Sequence, residues 1–206
     1  MASPRIALRT PTLPLRNELV RKALHLSAAV FPLAYAYGAS RSLIEAALGA
    51  VSAVAIATEL LRRSNATFGA AFDKTFGSLI RANERNRVTG ATWLALSCFV
   101  AVAVLSRNAA IAALWCATVG DPAATIIGKW LNGTPGRGDD SGGKTIAGSL
   151  GCTAASFAGV WMIAGYAPQL AIVIAATAAI VEAMPVHIDD NIRVVAAAGA
   201  IAQFLA

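Results

Sequence analysis

Residues 109–131, AAIAALWCATVGDPAATIIGKWL, form an apolar run with a carboxylate, Asp121, well inside it. The run meets the roughly 20 residues that a helix needs to cross a bilayer. An ionisable group at that depth costs roughly 2.5–3.5 kcal/mol even on the insertion scale, so its presence points to a function. Pro122 follows directly. It cannot donate to the Thr118 carbonyl four residues back, and it disfavours helical geometry at Asp121. The expectation is a helix broken beside a buried acid, with free carbonyls, an arrangement membrane proteins use to hold cations. Asp121 reads as an ion-holding residue.

The rest of the chain agrees with a membrane setting. Of 206 residues, 57% are hydrophobic and only 14% charged, against about 25% charged in soluble domains. Mean hydropathy is +0.62. An alanine-rich soluble bundle would have to bury nearly every helix on all sides. Seven apolar segments lie near residues 23–38, 42–61, 90–106, 108–131, 145–166, 168–184 and 192–206. The expected fold is therefore an all-α polytopic membrane protein with about seven transmembrane helices. Between the second and third segments, Phe68, Phe72, Phe76, Leu79 and Ile80 recur at helical spacing within the polar stretch 62–87. They predict one amphipathic helix lying on the membrane surface.

Charge orients the set. With the N-terminus in the cytosol, all of the 17 Lys and Arg residues except Arg41 and Arg107 fall on the cytosolic side, as the positive-inside rule requires. The net charge of +6 then serves orientation and attraction to anionic lipid, and a nucleic-acid partner is a poor reading. The organisation expected is a basic cytosolic N-terminal segment, residues 1–22, followed by a single transmembrane catalytic domain, residues 23–206. The first apolar segment reads as a retained anchor, since the later segments remain whatever is cleaved. Cys98, Cys116 and Cys152 lie in apolar segments without metal-ligand spacing and read as small packing residues. Gly148, Cys152 and Ser156, with Gly151, Ala155 and Gly159, recur every four positions and predict close helix packing.

On this topology the polar clusters share the cytosolic side. They are Glu18, Arg21, Lys22 and His25; Glu59, Arg62 and Arg63; Asn86 to Gly90; Asp121 and Lys129; Gly142 to Ser149; and Glu182 with Asp189 to Asn191. A transporter would concentrate such groups at the midplane. Basic residues, a glycine loop before a helix and separated carboxylates suit a nucleotide with magnesium, and so phosphoryl or nucleotidyl transfer. Residues 138–145, GDDSGGKT, fit the P-loop pattern literally. A P-loop follows a strand in a βαβ unit, and here a polar turn precedes it. The Gly142 and Gly143 amides, with Lys144 and Thr145, still suit phosphate.

The segments NELVRKALHLS, NRVTGATWLALS, GDPAATIIGKWLNG, GGKTIAGSLG and VEAMPVHIDDN resemble the CTP-dependent lipid-alcohol kinases, a likeness covering roughly residues 17–193. These are the dolichol, phytol and farnesol kinases and the CTP-dependent diacylglycerol kinases, distantly related to phosphatidate cytidylyltransferases. The resemblance implies transfer of the γ-phosphate of CTP to the hydroxyl of a membrane-dissolved lipid, with Mg2+ as cofactor. It implies that Asp121 and Asp190 hold the metal, and that Glu182 is a third ligand or the base for the hydroxyl. It implies that Arg21, Lys22, Lys129 and Lys144 hold the triphosphate, with His25, Gly142, Gly143, Thr145 and Asn191 completing the nucleotide contacts. Asp121, Glu182 and Lys144 form the expected catalytic set. A cytidylyltransferase making a CDP-linked lipid is the alternative, and a transporter or non-catalytic scaffold is the other class. Neither the lipid acceptor nor the oligomeric state follows from the residues.

Overall fold

A computed structural model describes residues 15–80, 84, 85, 87–132, 144–186 and 188–206. Among them the chain is helical, with no strand. In order, the helices are α1 (Leu15–Ser27), α2 (Val30–Ala36), α3 (Arg41–Ser64), α4 (Ala66–Phe76), α5 (Gly90–Val104), α6 (Arg107–Trp115), α7 (Asp121–Asn132), α8 (Ile146–Met162), α9 (Pro168–Ala183) and α10 (Asp190–Phe204).

Helix α6 is the centre. Ala109 to Leu114 are all buried, as expected of a helix apolar on every side. It continues through a π-helical turn, Cys116–Gly120, into α7. Helices α7, α8, α9 and α10 pack in sequence against their neighbours, and α10 closes back on α6 and α5. Small residues let these axes approach. A Cβ at Gly148 would lie 2.7 Å from the Ala124 carbonyl oxygen, and one at Gly151 would lie 2.6 Å from Ile127. The four-residue repeat along α8 is thus a packing face, as its spacing predicts.

Among the described residues two helices are long and apolar enough to cross a membrane: Arg41–Ser64, and the continuous Arg107–Leu131. Of their apolar windows, 22% and 67% respectively are buried in the fold, so α3 is peripheral and α6–α7 is central. All seven apolar segments fall on helices, but seven crossings are not shown. Helices α5, α9 and α8 have 15, 16 and 17 residues, about 22–26 Å at 1.5 Å per residue against a hydrocarbon core of about 30 Å. The segment at 23–38 is divided between α1 and α2, and α1 begins as early as Leu15.

The helix does not break at Asp121. Its φ and ψ, −64° and −45°, are helical, contrary to the expectation from Pro122. The π turn is the reason. Asp121 N–H donates to the carbonyl of Cys116, five residues back, and the wider turn admits the proline ring that an α-helical register would reject.

Of the surface helix predicted from Phe68, Phe72, Phe76, Leu79 and Ile80, the part to Phe76 is α4, none of whose residues is buried. Leu79 ends a separate 3-10 turn, and Ile80, extended, is buried beyond it. Helix α4 lies tight against the end of α3, since a Cβ at Gly69 would stand 2.7 Å from the Arg62 carbonyl oxygen. Helix α1 is inverted. Glu18 and Lys22 are buried, while Leu19, Val20, Leu24 and Leu26 are exposed. Its polar stripe faces the protein and its apolar stripe faces out.

Candidate active site

Positions 18, 21, 22 and 25 recur at three- and four-residue steps, so α1 presents them on one face. Lys22 Nζ donates to Asp121 Oδ2 at 2.7 Å, and the two side chains are only 6% and 5% exposed. Such a pair gains little net stability against its desolvation, but losing one partner is costly. His25 Nδ1 lies 3.8 Å from the same carboxylate oxygen. Its Nε2 is 2.9 Å from the Ala117 carbonyl oxygen.

The other acids arrive from distant helices. Glu182 is in the last turn of α9 and Asp190 opens α10. Ligand oxygens of Asp121, Glu182 and Asp190 all lie within 4.8 Å of one another. Lys144, in the segment before α8, pairs with Glu182 and stands 3.7 Å from Asp190 Oδ2. Burial works to lower the Lys144 ammonium. The carboxylates of Glu182, Asp190 and Asp121 outweigh it, so the pKa is raised. The result is three acids from three helices interleaved with two lysines.

Asp190 and Asn191 owe their place to Asp189, which caps α10. Its Oδ1 accepts from Asn191 N–H at 3.0 Å and from Asn191 Nδ2 at 2.9 Å. Burial, and then the charge of Asp190, push the Asp189 carboxyl above its ordinary value. Asn191 Nδ2 also donates to the Gly90 carbonyl at 3.1 Å, tying α10 to the start of α5. Thr145 Oγ1 caps α8 by accepting Gly148 N–H at 3.0 Å.

Two of the expected nucleotide contacts are not paired with the three acids by a described bond. Arg21 forms a two-pronged pair with Glu84, at 2.5 and 2.9 Å, beside Gly90 and Asn191. Lys129 is eight residues beyond Asp121 on the same helix, about 12 Å along its axis. Asp121 takes its ion pair from Lys22 on α1. Gly142 and Gly143 lie outside the described residues, as do Asn86, Asp139, Asp140 and His187.

Glu84 was not legible in advance. It is buried, and besides Arg21 it accepts Gly90 N–H at 3.2 Å. Its carbonyl accepts from Arg62, which also holds the carbonyls of Arg85 and Arg87. Arg62 is itself paired to Glu59 at 2.7 Å, and Glu59 Oε1 accepts Thr89 N–H at 2.9 Å. Glu84 lies among Asn83, Arg85, Asn86 and Arg87, a stretch that reads locally as a solvated charge run.

A divalent cation fits the donors. Asp121 Oδ1 is buried without a hydrogen-bond partner among the described residues, and so is Asn191 Oδ1. Magnesium takes oxygen ligands at about 2.1 Å, which places two of them at most about 4.2 Å apart. A carboxylate set reaching 4.8 Å closes on the ion with a small rotamer shift or one intervening water.

Comparison with known proteins gives distant likenesses. The chain is 27% identical over 143 residues to CTP-dependent diacylglycerol kinase 1 of Schizosaccharomyces pombe, covering 66% of this chain and 62% of that protein. It is 26% identical over 136 residues to an uncharacterized protein of Rickettsia prowazekii, covering 65% of this chain and 64% of the other. The chain thus spans less than two thirds of the length of these relatives. No protein-family model matches the chain, and no solved structure does. The likeness to the yeast protein supports a lipid kinase at most.

Proposed function

We propose that this chain is an integral-membrane phosphotransferase that moves the γ-phosphate of CTP to the hydroxyl of a lipid. The observation that carries the proposal is the convergence of Asp121, Glu182 and Asp190 with Lys22 and Lys144 paired to them. Their separation along the chain makes a local structural role a poor account of the cluster. CTP as donor rests on the diacylglycerol kinase relative.

Asp121 and Asp190 would hold magnesium, with Glu182 as third ligand or as base. The metal, when bound, neutralises phosphate oxygens. Lys22 and Lys144, paired with Asp121 and Glu182, would supply positive charge to the phosphates, so that the acids and the phosphates would not leave an uncompensated charge in the pocket. The lipid oxygen forms a bond to γ-phosphorus as the bond to the β-phosphate bridging oxygen breaks. CDP leaves, and the hydroxyl proton passes to Glu182. Positioning and charge neutralisation suffice for this chemistry.

A lipid acceptor is supported by the surroundings of the cluster. The outward face of α1 is apolar, and the α9–α10 connection exposes Met184, Val186 and Ile188 immediately before Asp189 and Asp190. A charged pocket behind an apolar rim suits a headgroup entering from the membrane. With the charge distribution of the sequence, this favours seven crossings and a pocket facing the cytosol.

The test uses the purified full chain in lipid nanodiscs, offered CTP labelled at the γ- or α-phosphorus with diacylglycerol, phytol, farnesol and dolichol. The γ-label should pass to lipid, magnesium should be required, and Asp121→Asn should abolish transfer while insertion persists. Passage of the α-label instead would establish a cytidylyltransferase. Passage of neither label to any acceptor would end the proposal.

A further inference from the structure

The π turn before Asp121 creates a vacancy in the helix ladder. In an α-helix the Ala117 carbonyl would accept from Asp121 N–H. That N–H is turned to Cys116 instead. In a π register the donor would be residue 122, and Pro122 has no N–H. Neither helical donor serves Ala117, and a buried carbonyl left without one is costly. His25 Nε2 stands 2.9 Å from it. A carbonyl can only accept, so Nε2 carries the proton.

We infer that His25 is a positioning residue whose Nε2–H replaces the hydrogen bond that Pro122 removes, and so holds the π turn that aims Asp121. Pro122 and His25 form one device across 97 residues of sequence. Pro122 favours the wide turn, and His25 satisfies the carbonyl that the turn exposes. The same face of α1 delivers Lys22 to Asp121, so docking of α1 and the direction of the Asp121 carboxylate are set together. With Nε2 engaged, Nδ1 is turned toward the Asp121 side of the pocket. Glutamine places an amide N–H near the Nε2 position, whereas asparagine reaches only to Nδ1.

The inference rests on the proposed metal site for its consequence, but its geometry is testable separately. The variants are His25→Ala, His25→Gln and His25→Asn, with His25→Ala repeated in a Pro122→Ala background. Each is purified as the full chain and measured for thermal midpoint and for Mn2+ affinity. His25→Ala should lower the midpoint and weaken Mn2+ binding by about 10-fold or more, the usual effect of losing a group that orients a metal ligand. His25→Gln should recover most of both losses, and His25→Asn should not. In the Pro122→Ala background, where residue 122 regains its N–H, His25→Ala should lower the midpoint much less. Equal losses in both backgrounds, or a glutamine variant as damaged as the alanine one, would overturn the inference. Coupling of positions 25 and 122 in stability, with no Mn2+ binding by the parent, would instead overturn the proposed metal site while upholding the capping role.

Discussion

Replacing Lys22 with methionine would separate a structural ion pair from a metal site. Lys22 and Asp121 pair at 2.7 Å with side chains 6% and 5% exposed, so the screening that weakens surface pairs is absent. Removing one partner of such a pair costs about 3–5 kcal/mol, because the remaining charge stays buried. The stranded group here is Asp121, whose carboxylate shares its pocket with Glu182 and Asp190. In the proposed site magnesium would supply the missing positive charge, and without Lys22 it would no longer compete with an ammonium for Asp121. A ligand present at a hundred times its Kd stabilises the folded state by about 2.7 kcal/mol. Lys22→Met should therefore be much less thermostable than the parent in EDTA, and the gap should narrow in saturating Mg2+. Phosphate transfer should stay lost under both conditions, because in the proposed site Lys22 would also hold the nucleotide. Thermal unfolding of the purified protein by intrinsic fluorescence, with and without the metal, measures this. An equal loss of Tm in EDTA and in Mg2+, or no loss in EDTA, would refute the reasoning.

Two further outcomes follow from the packing and from the charges. Gly159→Ala would place a Cβ 2.0 Å from Trp115 Nε1, whose ring is held by a 3.0 Å bond to the Ala155 carbonyl. The overpacking should cost about 1–3 kcal/mol, read as a lowered unfolding midpoint; an unchanged midpoint would show that α6 and α8 are looser than described. Lys144 is raised above the ordinary lysine value of 10.5, so its contribution to stability is complete below that pH and is lost as pH rises through the folded value. A stability profile over alkaline pH should show this fall in the parent and not in Lys144→Gln. Identical profiles would mean that the carboxylates do not hold the ammonium.

Composition and hydropathy determined the helical class and the places of most helices, because burial in an apolar phase follows from local residue content; α1, which begins at Leu15 within the polar N-terminal stretch, is the exception. The spacing of Phe68, Phe72 and Phe76 likewise announced α4. The candidate acids were also legible. Asp121, Glu182 and Asp190 are chemically out of place in or beside apolar segments, and an expensive residue is conspicuous without coordinates. In the sequence Pro122 marks a disturbance, and in the structure that disturbance is a widened turn, not a break. A missing N–H shows in the sequence, but whether the ladder breaks or widens depends on what supplies the orphaned carbonyl, and that is His25 from another helix.

Tertiary structure decided the pairings. That Lys22 meets Asp121, that Lys144 meets Glu182, and that Arg21 is held by Glu84 are matters of which helix faces turn toward one another. The inversion of α1 belongs here too. Its alternating stripes are visible in the sequence, yet they predict only two unlike faces, not which one turns inward. Local patterns carry the cost of a residue's surroundings. Its partner is set by the mutual arrangement of helices, which arises only when the whole chain packs.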